Sequence, residues 1–327
     1  MPKPKLLEYN LENIPIKKDI FGNEKKDLTV KNRIGFVPVS IWKCNWGLTR
    51  KLKRIIGDFG QTRQIDSKIH HMNSNKSQNA RTNGNTYRQY QKIHKNKSTA
   101  GHHRIGPRYG GCSSGVNDNV SIFNPHLALM ILSAYCPKGA SIYDPFAGGG
   151  TRGFIAAAMG FAYYGREIRQ CEVDRIKQVQ KKLKLPFTIE CKDAKAKVLG
   201  TTKFDFSYTC PPYWNMEVYS NMANDISNTD TYKLFLSGIK KSLLRTYQAL
   251  KPGSLSIWVV GNFRQGHKLL HFNGDLIRKA NEVGFQLHDE LIFWGGSGHA
   301  VGRAGNFVKN RKSVRIHEYI VVLKKPM

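Results

Sequence analysis

Acidic residues are scarce in this chain: 23 Asp and Glu stand against 52 Lys and Arg in 327 residues, a formal net charge of +29. That imbalance favours a polyanionic partner, because each phosphate neutralised releases counterions. Cysteine is sparse too. Cys44, Cys112, Cys136, Cys171, Cys191 and Cys210 include no CxxC pair, which argues against a disulfide framework or a zinc ribbon and suits a reducing compartment. No apolar run approaches the ~18–20 residues of a membrane helix, so a spanning protein is not expected. The opening MPKPKLLEYNLENIPIKKD lacks a continuous apolar core of signal-peptide length, so neither is secretion. His70-His71 and His102-His103 with Cys112 match no zinc spacing, and no metal site is expected.

The positive charge that is present is unevenly spread. Residues 61–119 carry 10 Lys and Arg against 2 acids, with five histidines, in an Asn/Gln/Ser/Gly-rich stretch with few apolar side chains. Such a composition cannot offset its own conformational entropy and reads as a mobile basic arm. Tyr87, Tyr90 and Tyr109 interleave there with Arg81, Arg88 and Arg108, a mix suited to phosphates and bases; a solvated linker is the plain alternative. Residues 1–60 form a small N-terminal region, with a strand at 34–42 broken by Pro38 and a short helix at 49–60. From residue 120 to 327 strands and helices alternate: helices at 124–136, 151–160, 171–185, 232–253 and 275–285, strands at 140–146, 162–168, 186–194, 203–213, 254–263, 286–294 and 313–324. This predicts an α/β domain with a mostly parallel seven-stranded sheet and a terminal antiparallel hairpin, behind a basic N-terminal extension.

Two segments carry chemistry. In SIYDPFAGGGTRGFIAAAMGFAYYGREI, a strand delivers Asp144 and three glycines let the backbone turn sharply against a ligand before a helix starts. Glu167 ends the next strand, where an acid accepts hydrogen bonds from ribose hydroxyls in nucleotide-like cofactors, and Asp193 closes the strand after it. No GK[ST] follows the loop and no GxGxxG is present, which excludes a Walker site and the dehydrogenase fingerprint. The second segment is FDFSYTCPPYW. Pro211 and Pro212 end a strand and donate no N–H, so carbonyls in the turn are available to an exocyclic amine, while Tyr213 and Trp214 offer flat faces for a base.

DPFAGGGT resembles the first motif of the S-adenosylmethionine-dependent amino-methyltransferases of DNA, and CPPY resembles their (D/N/S)PPY motif. The resemblance spans residues 120–325 and implies a Rossmann-like methyltransferase fold. It implies S-adenosylmethionine as cofactor, held by Phe123, Asp144, Pro145, Phe146, Ala147, Gly148, Gly150, Thr151, Glu167 and Asp193. Phe123-Asn124-Pro125 would close over the cofactor, Asp144 would face its methionine end, and Glu167 and Asp193 would meet ribose and adenine. Thr209, Cys210, Pro211, Pro212 and Tyr213 would position the target amine and stack the base. Double-stranded DNA is the implied partner and the cytoplasm of a bacterial or phage-infected cell the implied place, since NMEVYS and LKPGSLSIWVVGNFR look like phage and mobile-element modification methylases of restriction-modification type.

Cys210 departs from the motif. A thiol is a weaker acceptor than Asp, Asn or Ser, so the motif's link to the base does not transfer directly. Its isostery with Ser favours N4 of cytosine over N6 of adenine, and Thr209 is a second source of oxygen. Ring-carbon methyltransferases place a Pro-Cys pair instead, which argues against Cys210 as a covalent nucleophile. With no domain after Met327, target recognition is expected from residues 1–119, from 215–231, where Glu217 and Tyr219 are candidate pocket residues, or from the Gly302-Arg303-Ala304-Gly305 loop. An RNA base methyltransferase and a catalytically idle nucleic-acid-binding protein on the same fold stand as alternatives.

Overall fold

The computed structural model describes residues 16–18, 24–26, 40–43, 123–198, 203–216, 220, 222–294 and 311–327. The expected arm at 61–119, the helix at 49–60, Glu217, Tyr219 and the 302–305 loop lie outside the described residues. The strands are β1 (Ile16–Lys18), β2 (Glu24–Lys26), β3 (Ile41–Lys43), β4 (Ser141–Asp144), β5 (Ala162–Glu167), β6 (Thr188–Cys191), β7 (Phe204–Thr209), β8 (Leu250–Val260), β9 (Phe263–Gln265), β10 (Lys268–Leu270), β11 (Gln286–Trp294) and β12 (His317–Lys324). The helices are α1 (Pro125–Tyr135), α2 (Thr151–Ala158), α3 (Gln170–Leu183), α4 (Tyr232–Ala249) and α5 (Phe272–Glu282).

One eight-stranded sheet runs β3-β11-β12-β8-β7-β4-β5-β6. It is parallel except at β12, which lies antiparallel to both β8 and β11. This is the expected Rossmann-like α/β architecture with its terminal antiparallel hairpin. The eighth strand is the difference. β3, from the N-terminal region, adds to the edge of β11, and Trp42 is buried in the core and stacks on Tyr135 of α1.

Alternation along the strands explains why the sheet is covered on both faces. Ile257 and Val259 point into a core shared with α1, Ile142, Phe206 and Tyr208, whereas Trp258 and Val260 point into one shared with α4, α5, Tyr143 and Phe204. A strand buried on both sides reads as a continuous apolar run, as SLSIWVV does. Each fully buried Leu, Ile or Phe contributes roughly 1.5–3 kcal/mol by leaving water. α1 starts cleanly because Asn124 accepts from the His126 and Leu127 N–H groups and Pro125 needs no partner. α2 packs so closely on β5 that a Cβ on Gly153 would fall 2.7 Å from the Phe187 ring and 2.8 Å from Tyr163. Cys136, Cys191 and Cys210 take part in no disulfide, but Cys171 is disulfide-bonded, a departure from the reducing compartment that the sparse cysteines suggest.

The topology fixes where a ligand binds. From β4 the chain moves outward to β5 and β6, then returns to place β7 and β8 on the other side of β4. A crevice opens at such a switch point, beyond the carboxyl ends of the strands.

Candidate active site

Asp144 ends β4 at the switch point and is fully buried. Its Oδ1 accepts from the Phe146 N–H (3.0 Å) and the Thr209 hydroxyl (2.6 Å). Its Oδ2 accepts from Arg152 Nε (2.7 Å) and the Tyr163 hydroxyl (2.6 Å). Four donors on two oxygens make Asp144 a knot that ties the glycine loop, α2, β5 and the end of β7 together. Arg152 also donates to the Phe146 carbonyl, and its guanidinium lies 4.7 Å from the Phe123 ring centroid and 5.7 Å from that of Tyr208. Burial opposes the Arg152 charge, but Asp144, helped by Tyr163 and Cys210, more than offsets it and the pKa is raised. Burial raises the Tyr163 hydroxyl well above its usual range, and Asp144 adds to that, so it stays a donor.

The loop itself is bare backbone. Ala147 N–H bonds the Arg166 carbonyl (2.7 Å) and Gly150 N–H bonds the Ala147 carbonyl (3.0 Å). Gly148 (φ +53) and Gly150 (φ +78) hold left-handed conformations that other residues adopt at a cost, so two of the three glycines are required by the turn itself. Nothing comes closer than 3.9 Å to a Cβ built on Gly148. Among the described residues the Gly148 and Gly149 N–H groups have no hydrogen-bond acceptor, and both sit partly exposed at the crevice. Arg175 of α3 steadies the far side of the turn by donating to the Gly149 carbonyl (3.0 Å) and pairing with buried Glu172.

Glu167 ends β5 beside this turn. Its Oε1 accepts from the Arg169 N–H (3.0 Å) and Arg169 Nε (2.9 Å), while Oε2 accepts nothing from the described residues. Burial raises its pKa, partly countered by Arg169. Asp193 follows β6, with Oδ1 on the Lys195 N–H (2.7 Å) and Oδ2 3.3 Å from Lys195 Nζ. The loop that carries it is pinned from beneath by Arg166, fully buried, which donates to the Ala196 (2.7 Å) and Lys197 (3.0 Å) carbonyls.

On the other side of β4, Thr209 ends β7 with its hydroxyl committed to Asp144. Cys210 is partly buried against the α1 side of the core, Pro211 is buried and Pro212 partly so. Tyr213 meets Phe263 (centroids 5.7 Å, 87°) and Phe272 (6.2 Å, 71°) edge-on, and its ring lies against the backbone of Gly261. The Trp214 indole donates to the Thr229 carbonyl (2.8 Å) and packs on Tyr232. Asp144, the glycine turn, Glu167, Asp193 and Thr209–Tyr213 thus lie at or just beyond the carboxyl ends of β4, β5, β6 and β7, neighbours in one sheet. Reading the sequence missed Arg152, Arg166, Arg169 and Arg175. The available signal was four arginines within 24 residues after the loop, three of them within two residues of an acid.

No protein-family model matches the chain, and no curated protein matches it. Solved structures give distant likenesses. TrmN from Thermus thermophilus is 16% identical at a TM-score of 0.45, covering 62% of this chain and 48% of TrmN, so this chain spans about half the length of that relative. A SAM-dependent methyltransferase from Methanosarcina mazei is 14% identical at a TM-score of 0.43, covering 60% of this chain and 97% of that one. A candidate DNA modification methylase, also from Thermus thermophilus, is 18% identical at a TM-score of 0.29, covering 39% of this chain and 46% of that one. At these TM-scores and identities the likenesses carry no argument, and the reading of cofactor and substrate rests on this chain's own residues.

Proposed function

We propose that this chain transfers a methyl group from S-adenosylmethionine to the exocyclic amino group of a base in DNA, N4 of cytosine in preference to N6 of adenine. The observation that supports this best is the convergence, at one switch point, of a bare glycine turn, a buried carboxylate with one open oxygen and a Pro-Pro-Tyr strand end.

The residues suit the cofactor. The Gly148 and Gly149 N–H groups are open donors for its carboxylate, the Glu167 Oε2 an open acceptor for its ribose hydroxyls, and Asp193 lies one strand further out for its adenine. When bound, S-adenosylmethionine supplies an electrophilic methyl carbon on a cationic sulfur. Asp144 is saturated, so its part is to hold loop and strand end in register rather than to meet the cofactor directly. The turn at Cys210–Pro212 offers its carbonyls to the amine protons, which aligns the nitrogen lone pair with the methyl carbon. Phe263 and Phe272 fix the plane of Tyr213 for stacking on a base. A base in a duplex must be flipped out to reach this turn.

Calorimetry tests the cofactor half of this reading. S-adenosylmethionine should bind the wild type, and Glu167→Ala should weaken it by roughly 1.5–3 kcal/mol, the worth of hydrogen bonds to a charged group. Equal affinity in wild type and variant removes the assignment.

A further inference from the structure

The β9–β10 hairpin has no part in the cofactor site. Its two strands join through a two-residue Gly266–His267 turn, with Gly266 at φ +57. The hairpin is rooted on the target side of the crevice, because Phe263, its first residue, packs on Tyr213. Its outer part is basic, with Arg264 partly exposed and His267 and Lys268 exposed. A distant segment brings more charge to it. Arg315 Nε donates to the Asn262 carbonyl (3.0 Å), one residue before the hairpin, and Lys312 Nζ donates to His267 Nδ1 (3.0 Å). None of Arg264, Lys268, Lys312 and Arg315 pairs with a carboxylate among the described residues, whereas Arg152, Arg169 and Arg175 on the cofactor side each do. Burial and the neighbouring Arg264 charge both lower the Arg315 pKa, a mark of like charges held together.

Like charges gathered by hydrogen bonds are costly unless an anion offsets them. These four cations lie on, or are hydrogen-bonded to, a hairpin whose first residue packs on the tyrosine that would stack the base, so the anion most consistent with the site is the phosphate backbone flanking a flipped nucleotide. We propose that the β9–β10 hairpin and the Lys312–Arg315 segment form a phosphate-backbone clamp that registers a nucleic-acid strand over Tyr213. The clamp deepens the methyl-transfer reading by naming the surface that holds its substrate.

The test uses the full chain and a labelled DNA duplex of arbitrary sequence, titrated at several salt concentrations. The triple variant Arg264→Ala/Lys268→Ala/Lys312→Ala should lower the slope of log affinity against log salt by about two to three, close to one for each phosphate left without its cation. Its affinity near 0.15 M salt should drop at least about tenfold. The control Lys181→Ala/Lys182→Ala/Lys184→Ala, at the far end of α3, should change neither. Equal effects from the two sets, or no effect from the first, overturn the clamp. Should the triple variant fail to fold, Lys268→Glu at an exposed position decides: weaker binding and a shallower slope support the clamp, wild-type values sink it. S-adenosylmethionine affinity, measured alongside, separates the two proposals. A chain that binds no cofactor but keeps the hairpin-dependent slope loses the methyl-transfer reading and retains the clamp.

Discussion

Asp144 and Arg152 form an ion pair with side chains 0% and 4% exposed, so neither charge has water to fall back on. Arg152→Met leaves the Asp144 carboxylate buried and unmatched, and should lower the unfolding free energy by about 3–5 kcal/mol in urea denaturation. The double variant Asp144→Asn/Arg152→Met should cost less than that single change; a double variant as damaged as the sum of its parts contradicts the pairing. Glu167 gives a pH prediction. In the proposed binding mode cofactor hydroxyls donate to its ionised form, and burial raises its pKa above the usual carboxylate range. Affinity for S-adenosylmethionine should therefore be full above that raised pKa and fall as pH drops through it, earlier than for an exposed Glu. Glu167→Gln should remove the dependence. Cys210→Ser should keep activity, since the amine needs an acceptor and a shape rather than a thiolate; a folded, cofactor-bound but dead variant would point to covalent chemistry. Asp144, the glycines and the prolines were legible in the sequence because each is a residue type that the turn or the carboxyl edge requires. Arg152 was not, because an arginine in the first turn of a helix ordinarily faces solvent. Thr209 reads in the sequence as an oxygen for the amine, yet its hydroxyl serves Asp144 instead.

Elements place these residues. α2 must lie close on β5 to aim the glycine turn, and Gly153 is where the two meet. Gly153→Ala forces a methyl into Phe187 and Tyr163 and should cost about 1–3 kcal/mol by overpacking. A variant as stable as wild type in urea would mean the helix sits further out. At the amino ends of β4 and β7, Asp205 accepts from the Ser141 N–H and hydroxyl and pairs with Lys251, which together hold its pKa at about 2. A carboxylate whose folded pKa is depressed contributes stability that is present above its unfolded pKa, near 3.9, and is lost as pH falls towards 2. Asp205→Asn should flatten the acid limb of a thermal-melt series between about pH 4 and 2; an unchanged limb contradicts the linkage. The helices and strands of the sheet's core were legible from their apolar runs. The β9–β10 hairpin was not, because three-residue strands carry too little pattern and a lone Gly266 reads as a bend. β3 was expected as a strand, but nothing local says that Trp42 joins the far edge of the sheet.

At the scale of the whole molecule, a large net positive charge is unevenly matched by carboxylates. Arg152, Arg169 and Arg175 are each paired with a buried acid, while Arg264, Lys268, Lys312 and Arg315 pair with no carboxylate among the described residues. Composition shows the excess but not this division, which depends on contacts between segments far apart in sequence, such as Lys312 with His267. No described helix is long and apolar enough to cross a membrane. The most direct test of methyl transfer to an exocyclic amine is to incubate the chain with DNA and S-adenosylmethionine carrying an isotopically labelled methyl group. The DNA is then digested and its nucleosides are separated by mass spectrometry. The label is predicted in N4-methylcytosine, or in N6-methyladenine if the target is the other amine; label in 5-methylcytosine, or in no nucleoside while RNA or a small molecule takes it up, contradicts the account.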